Sequence, residues 1–258
     1  MKTRTIISIL LLIGFSAYSQ DWVEFCPSET TAPSYNVLSS TDTLVEFNVT
    51  IPGMFDTPVD TFNRVNIKEH TRLDSVGYPE IPIVSFLVAI PYCESINLEI
   101  NPLDSSQFTG FNIYPAPEFV QDTTPEGYVY LREEFVYDQN AYSNDNWIPG
   151  LLGNEVDHGA IRSQSVIRIL IYPVQFNPVK KTIKAYSEYN ISITFNNATV
   201  TLNNDVVIFN EMLGNSLINY ESNGLNASIS CGNGYENQGH VYYDDVLPGQ
   251  KLGYNVII

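Results

Sequence analysis

The sequence runs to 258 residues, with 12 Lys and Arg against 29 Asp and Glu and a formal net charge of −17 at pH 7. A field of that sign repels phosphate backbones and anionic headgroups, which argues against nucleic acid and membrane surfaces as partners. The acids are scattered and 44% of the residues are hydrophobic, so the composition is that of a folded chain with a solvated surface.

Residues 1–19 carry Lys2 and Arg4, an apolar run over residues 6–15, then Ala17-Tyr18-Ser19, with small residues where a signal peptidase reads. That run is only about half of the ~20 residues a bilayer span requires. A signal peptide cleaved near Ser19 and Gln20 is therefore expected, and with it a secreted or cell-surface protein with no membrane span in the mature chain. Of the three cysteines, Cys26, Cys93 and Cys231, one disulfide uses at most two. Cys26 and Cys93 are the expected pair because both flank early strands. None lies in a Cys-x-x-Cys pair, so no structural zinc site is expected.

Residues 44–51 alternate, with Val45, Phe47, Val49 and Ile51 on one side and Glu46, Asn48 and Thr50 on the other, which is the pattern of a half-buried strand. Gly77-Tyr78-Pro79-Glu80-Ile81-Pro82 forces an extended entry to a nearly continuous apolar run over residues 83–90, read as an inner strand ending at Pro91. Residues 165–172 alternate again and are closed by Pro173-Val174-Gln175-Phe176-Asn177-Pro178. After Lys180-Lys181, residues 183–195 place Ala185, Tyr189, Ile191, Ile193 and Phe195 on one side. These two segments are expected to pair as a hairpin.

The pattern changes over residues 206–220, where Val206, Phe209, Leu213, Leu217 and Tyr220 recur at three- and four-residue steps, which predicts an amphipathic helix. Residues 221–245 turn to Asn, Gly, Ser and Tyr, a linker composition. Tyr254-Asn255-Val256-Ile257-Ile258 then reads as the start of a fresh buried strand. The expected fold is all-β: a β-sandwich-like domain of short antiparallel strands, then one helix and a linker.

Three features together resemble the propeptide domain of gingipain-type (family C25) cysteine peptidases. They are the Gly77-x-Pro79-x-x-Pro82 entry to a strand ending in Ile90-Pro91, the stretch from Arg162 to Pro178, and the strand after it. The likeness covers roughly residues 40–200; Leu217-Ile218-Asn219-Tyr220 is similar to the stretch that follows such propeptides, and residues 254–258 look like the opening strand of their caspase-like catalytic domain. The resemblance implies a signal peptide over 1–19, a propeptide domain over 20–200, a helix over 201–220, a linker over 221–250 and the start of a truncated catalytic domain over 251–258. The family's catalytic His and Cys would lie beyond residue 258, so no catalytic residue is expected in this chain.

The residues themselves agree, since His70, His158 and His240 show no spacing to a cysteine that marks a nucleophile and its base. Asp138-Gln139-Asn140 with Asn144-Asp145 lacks the glycine and terminal glutamate of a calcium loop and reads as a solvated turn. No metal and no cofactor are expected.

What the resemblance implies for function is an intramolecular inhibitor and folding aid of the downstream catalytic domain, its expected partner, in a monomer. Such prodomains offer a basic side chain to a specificity pocket that favours one. Between residues 115 and 160 Arg132 is the only Lys or Arg, which makes it the inhibitory candidate; the alternative is that residues 128–131 form a strand and Arg132 is simply its exposed end. After Lys184 the only further base is Lys251, the candidate for a maturation cut, with residues 221–245 as the alternative stretch. The competing reading is an exported β-sandwich that binds glycan or a surface protein, with Tyr242 and Tyr243 as stacking platforms.

Overall fold

A computed structural model describes residues 20–161, 164–198 and 210–220. In chain order these form β1 (Asp21–Glu24), β2 (Ser34–Ser40), β3 (Leu44–Thr50), β4 (Gly53–Val59), β5 (Phe62–Asn66), β6 (Thr71–Arg72), β7 (Pro82–Ala89), β8 (Ser95–Thr109), β9 (Glu118–Thr123) and β10 (Val129–Glu134). The five-residue α1 (Gln139–Ser143) follows, then β11 (Gly153–Ile161), β12 (Gln164–Ile171), β13 (Val174–Asn177), β14 (Thr182–Asn196) and α2 (Asn210–Ser216). The architecture is all-β and antiparallel, as the alternation in the sequence requires, although β8 and β14 each extend to 15 residues.

Two sheets carry the core. In one the order is β11-β12-β7-β6; in the other β14 is central, with β3 and β13 along one edge, β2 beyond β3, and β8 along the other edge. Val45, Phe47 and Val49 of β3, Val84, Phe86 and Val88 of β7, Ile167, Ile169 and Ile171 of β12 and Tyr189, Ile191 and Ile193 of β14 belong to one buried cluster. Burial of each such side chain contributes about 1.5–3 kcal/mol. Phe47 and Phe86 join the two sheets edge to face, with ring centroids 5.8 Å apart. A third sheet, β1-β4-β5, adds Met54 and Val65 to the same core.

The hairpin expected from residues 165–172 and 183–195 does not form. β12 pairs with β11 and β7, whereas β14 pairs with β13, β8 and β3. Pro173 lies between β12 and β13 and has no N–H to give a ladder, so the chain leaves one sheet there and enters the other. The crossing is secured from β14: the Tyr186 N–H donates to the Pro173 carbonyl at 2.8 Å, and the buried Tyr189 hydroxyl donates to the Tyr172 carbonyl at 3.1 Å.

The expected Cys26–Cys93 bridge is also absent, and both are free thiols. Cys26 lies against the Ile51 carbonyl and near Glu188, whereas Cys93 precedes Glu94, whose N–H donates to the Asn196 carbonyl. Glu188 and Asn196 stand eight residues apart on β14, about 26 Å, and a disulfide needs Cα atoms within about 7 Å. Flanking two early strands did not place the cysteines at the same end of the sheet.

At its far end the described chain returns to β7. Leu213 and Leu217 bury against Ala89 and Val166, and the Ile218 N–H donates to the Leu87 carbonyl at 3.1 Å. Asn219 then treats Ala89 as a neighbouring strand would. Its Oδ1 accepts from the Ala89 N–H at 2.8 Å, and its Nδ2 donates to the Ala89 carbonyl at 3.0 Å and to Ser40 Oγ at 3.2 Å. Beyond Ile83 this edge of β7 is not paired by β6, so Ile218 and Asn219 supply partners that its buried backbone groups need. The sequence-based helix thus appears over Asn210–Ser216, while residues 201–209 lie outside the described residues.

Candidate interaction site

β9 and β10 form a two-stranded sheet of their own, in register from Val129 opposite Thr123 to Glu134 opposite Glu118. The turn is written in Thr124-Pro125-Glu126-Gly127. Proline suits its second position, and the Gly127 N–H donates to the Thr124 carbonyl at 2.9 Å, with Gly127 at a φ of +89°. All six residues of β10 are exposed. Seven of the sixteen exposed large hydrophobic residues among the described residues fall between Phe119 and Tyr137, including Tyr128 at 73% exposure.

The pairing sorts the hairpin into two unlike faces, because opposed residues point the same way and neighbours alternate. Arg132 shares its face with Val120, Asp122, Tyr130, Glu118 and Glu134. The other face holds Phe119, Val129, Leu131, Gln121, Thr123 and Glu133. Arg132 therefore stands among carboxylates on one side, with Phe119, Val129 and Leu131 on the face behind it. Its Nε lies 3.5 Å from Asp122 Oδ2 and its Nη2 3.8 Å from Glu134 Oε2. Exposed pairs of this kind are worth about 1 kcal/mol or less, so the guanidinium is lightly held and free to take another partner. The Thr123 N–H, then the Tyr130 hydroxyl and the Arg132 charge, hold the Asp122 carboxyl below the usual carboxylate range.

The root of the hairpin is a cluster of rings. Phe135 packs 5.7 Å from both Phe62 and Tyr114, and Tyr137 stacks on Tyr142 at 4.4 Å, whose hydroxyl donates to the Ile113 carbonyl at 2.7 Å. Asp138 follows directly: its side chain accepts from the Asn140 and Ala141 N–H groups and caps α1, while its own N–H donates to the Gly77 carbonyl at 3.1 Å. Gly77 has a φ of +81°, and a side chain there would press on Asp138.

Beside the rings runs a line of four charges. The carboxylate of Glu80, itself buried, takes Arg72 Nε at 3.2 Å and Arg64 Nε at 2.9 Å, and Arg64 Nη2 reaches Glu133 Oε2 on β10 at 3.0 Å. The Arg64 guanidinium lies 4.9 Å above the Tyr114 ring. Burial would lower the Arg64 pKa, but the hydrogen bonds and charges of Glu80 and Glu133 outweigh it and the net direction is up.

Other residues singled out in the sequence take structural positions. Asp145 accepts from Asn177 Nδ2 at 2.8 Å and pairs with Lys180 at 3.0 Å. His158 lies within β11 and faces Glu155 at 3.6 Å. Burial, and then neighbouring carboxylates, raise the thiol pKa of both Cys26 and Cys93, the opposite of an activated nucleophile. Lys251, Cys231, His240, Tyr242 and Tyr243 lie outside the described residues. Reading by residue type singled out Arg132 and set beside it a strand over residues 128–131, which β10 (Val129–Glu134) overlaps, but it missed β9, the pairing of the two strands and the Arg64–Glu133 tie. The Thr-Pro-Glu-Gly turn between two runs of β-formers was the available signal.

A sequence model of the family described as Propeptide_C25 matches residues 28–227. Lys-gingipain of Porphyromonas gingivalis is 24% identical over 200 residues, which is 75% of this chain but 11% of that protein, so the chain spans about a tenth of that relative's length. Among solved structures, the complex of RgpB pro- and mature domains from Porphyromonas gingivalis superimposes with a TM-score of 0.61 at 20% identity, covering 72% of this chain and 98% of the matched one. The structure addressing zymogenic latency of gingipain K, from the same organism, gives a TM-score of 0.58 at 20% identity, covering 70% and 100%. At such identities the two superpositions speak for the fold.

Proposed function

The chain belongs to the Propeptide_C25 family, and on that premise we propose that it is the prodomain of a secreted gingipain-like cysteine endopeptidase, acting as inhibitor and folding aid of the catalytic domain downstream. The observation that carries the reading is the β9–β10 hairpin. A two-stranded hairpin is marginally stable alone in water, yet all six residues of β10 are exposed and the hairpin concentrates exposed apolar side chains. A surface of that kind fits a partner that covers it. Arg132 is the basic side chain offered to the specificity pocket of the peptidase, where its charge exchanges two weak surface pairs for a desolvated one.

Maturation requires a cut between the prodomain and the catalytic domain. We place it within residues 221–245, whose composition suits the mobile, exposed stretch that proteolysis needs, in preference to the bond after Lys251, close to the expected strand over residues 254–258. Inhibition kinetics test the function. The chain from Gln20 onward, added to the mature peptidase encoded in the same reading frame, should slow hydrolysis of a basic peptide substrate competitively. A folded chain without effect at high micromolar concentration would contradict the inhibitor role.

A further inference from the structure

We infer that Arg64 is a positioning residue for inhibition: by holding Glu133 to the body of the domain it fixes which way β10 is turned, and so directs Arg132 outward. The inference rests on the reading of Arg132 given above and extends it to residues outside the hairpin. Among the described residues β9 and β10 pair with no other strand, so no described sheet sets their attitude to the rest of the domain. That task falls to the root, where backbone bonds tie Ala116 to Gly77 and Tyr78 and Asp138 to Gly77, Phe135 packs on Phe62 and Tyr114, and the bond from Arg64 Nη2 to Glu133 Oε2 at 3.0 Å reaches into β10 itself.

The sense of the tie follows from strand geometry. Glu133 and Arg132 are consecutive in β10, so their side chains leave opposite faces. With Glu133 drawn onto Arg64, Arg132 is turned away from the body. A rotation of β10 that swung Arg132 inward would have to break this bond. Arg64 is itself fixed, since Glu80 takes its Nε at 2.9 Å, Arg72 holds the other oxygen of Glu80 at 3.2 Å, and the Tyr114 ring lies beneath the guanidinium. A lysine at position 64 could meet one of these carboxylates but not both in a planar fork.

Two variants separate positioning from folding. Arg64→Met removes the guanidinium but leaves the buried Glu80 with Arg72 alone, so it also loads the fold. Glu133→Ala cuts only the tie and leaves Arg72, Glu80 and Arg64 in place. In the chain by itself, Glu133→Ala should speed amide exchange over residues 119–134 by about fivefold or more while leaving β7, β12 and β14 unchanged. Against the mature peptidase it should weaken inhibition by about threefold to tenfold, as expected for a half-exposed charge-assisted hydrogen bond. Adding Glu133→Ala to Arg64→Met should bring no further loss.

Unchanged hairpin exchange and unchanged inhibition in Glu133→Ala, with Arg132→Ala strongly impaired, would overturn the positioning role and leave the reading of Arg132 standing. If Arg132→Ala inhibits normally, the reading of Arg132 fails, and with it the positioning of Arg132 for inhibition. The exchange measurement then still decides whether Arg64 orders the hairpin.

Discussion

Replacing Asn219 by Ala should destabilise the domain far more than its place at the edge of a linker-like sequence suggests. The side chain is 6% exposed and makes three hydrogen bonds, two of them to the N–H and C=O of Ala89, which is 3% exposed. Truncation leaves both backbone groups without partners, at about 1–3 kcal/mol each when water does not reach them. The expected loss is therefore about 2–5 kcal/mol. It should appear in urea unfolding as a lower midpoint at constant slope, because the surface exposed on unfolding hardly changes. In parallel, the Ala89 amide should lose protection from hydrogen exchange before the centre of β7 does. Asn219→Asp gives an internal check. Its carboxylate can accept from the Ala89 N–H but has no proton for the Ala89 carbonyl, so the folded-state pKa rises. The stability it retains is then present below the unfolded value and lost as pH rises through the folded one. A loss under about 0.5 kcal/mol in Asn219→Ala, with the Ala89 amide still protected, would refute the argument that this side chain stands in for a strand.

Tyr189→Phe removes the bond to the Tyr172 carbonyl that secures the crossing at Pro173, and should cost about 1–2 kcal/mol in the same unfolding assay. His70 is held below its ordinary pKa by burial, so its share of stability is present above the unfolded value of about 6.5 and lost as pH falls through the folded one. His70→Gln should therefore flatten the fall in stability between pH 7 and pH 5, and an unchanged profile would exclude His70 as its cause. N-terminal sequencing of the mature enzyme should find a terminus within residues 222–245; a terminus at Leu252 would assign the cut to Lys251.

The parts of the fold that were legible in the sequence are those with one buried face. The alternation of β3, β12 and β14 and the apolar run of β7 mark strands because the core selects every second residue, or nearly every residue where both faces are covered. Pairing was not legible in the same way. Pro173 looked like the end of a strand before a turn, whereas it is the point where the chain changes sheets. β8 was hidden by Pro102 within it, a residue that the outer strand of a sheet tolerates. The hairpin was legible only in part: residues 128–131 read as a strand in one alternative, but β9 and its pairing were hidden because β10 is exposed throughout and β9 only half-buried at Val120 and Asp122, which leaves little hydrophobic alternation for a pattern to catch. Asn219 was hidden by its type, because an Asn beside an Asn-, Gly- and Ser-rich stretch reads as loop and only the tertiary contact with Ala89 shows otherwise.

The central claim is that Arg132, presented on the β9–β10 hairpin, blocks the specificity pocket of the peptidase. Comparing inhibition constants of the wild-type chain and Arg132→Ala against the mature peptidase tests it most directly, with thermal unfolding of both chains measured alongside. Arg132 is exposed and makes only surface ion pairs, so the unfolding midpoints should agree within about a degree, while loss of a buried anchor should weaken inhibition by about 2–4 kcal/mol, on the order of thirtyfold to a thousandfold. Equal inhibition constants for the two chains would contradict the account.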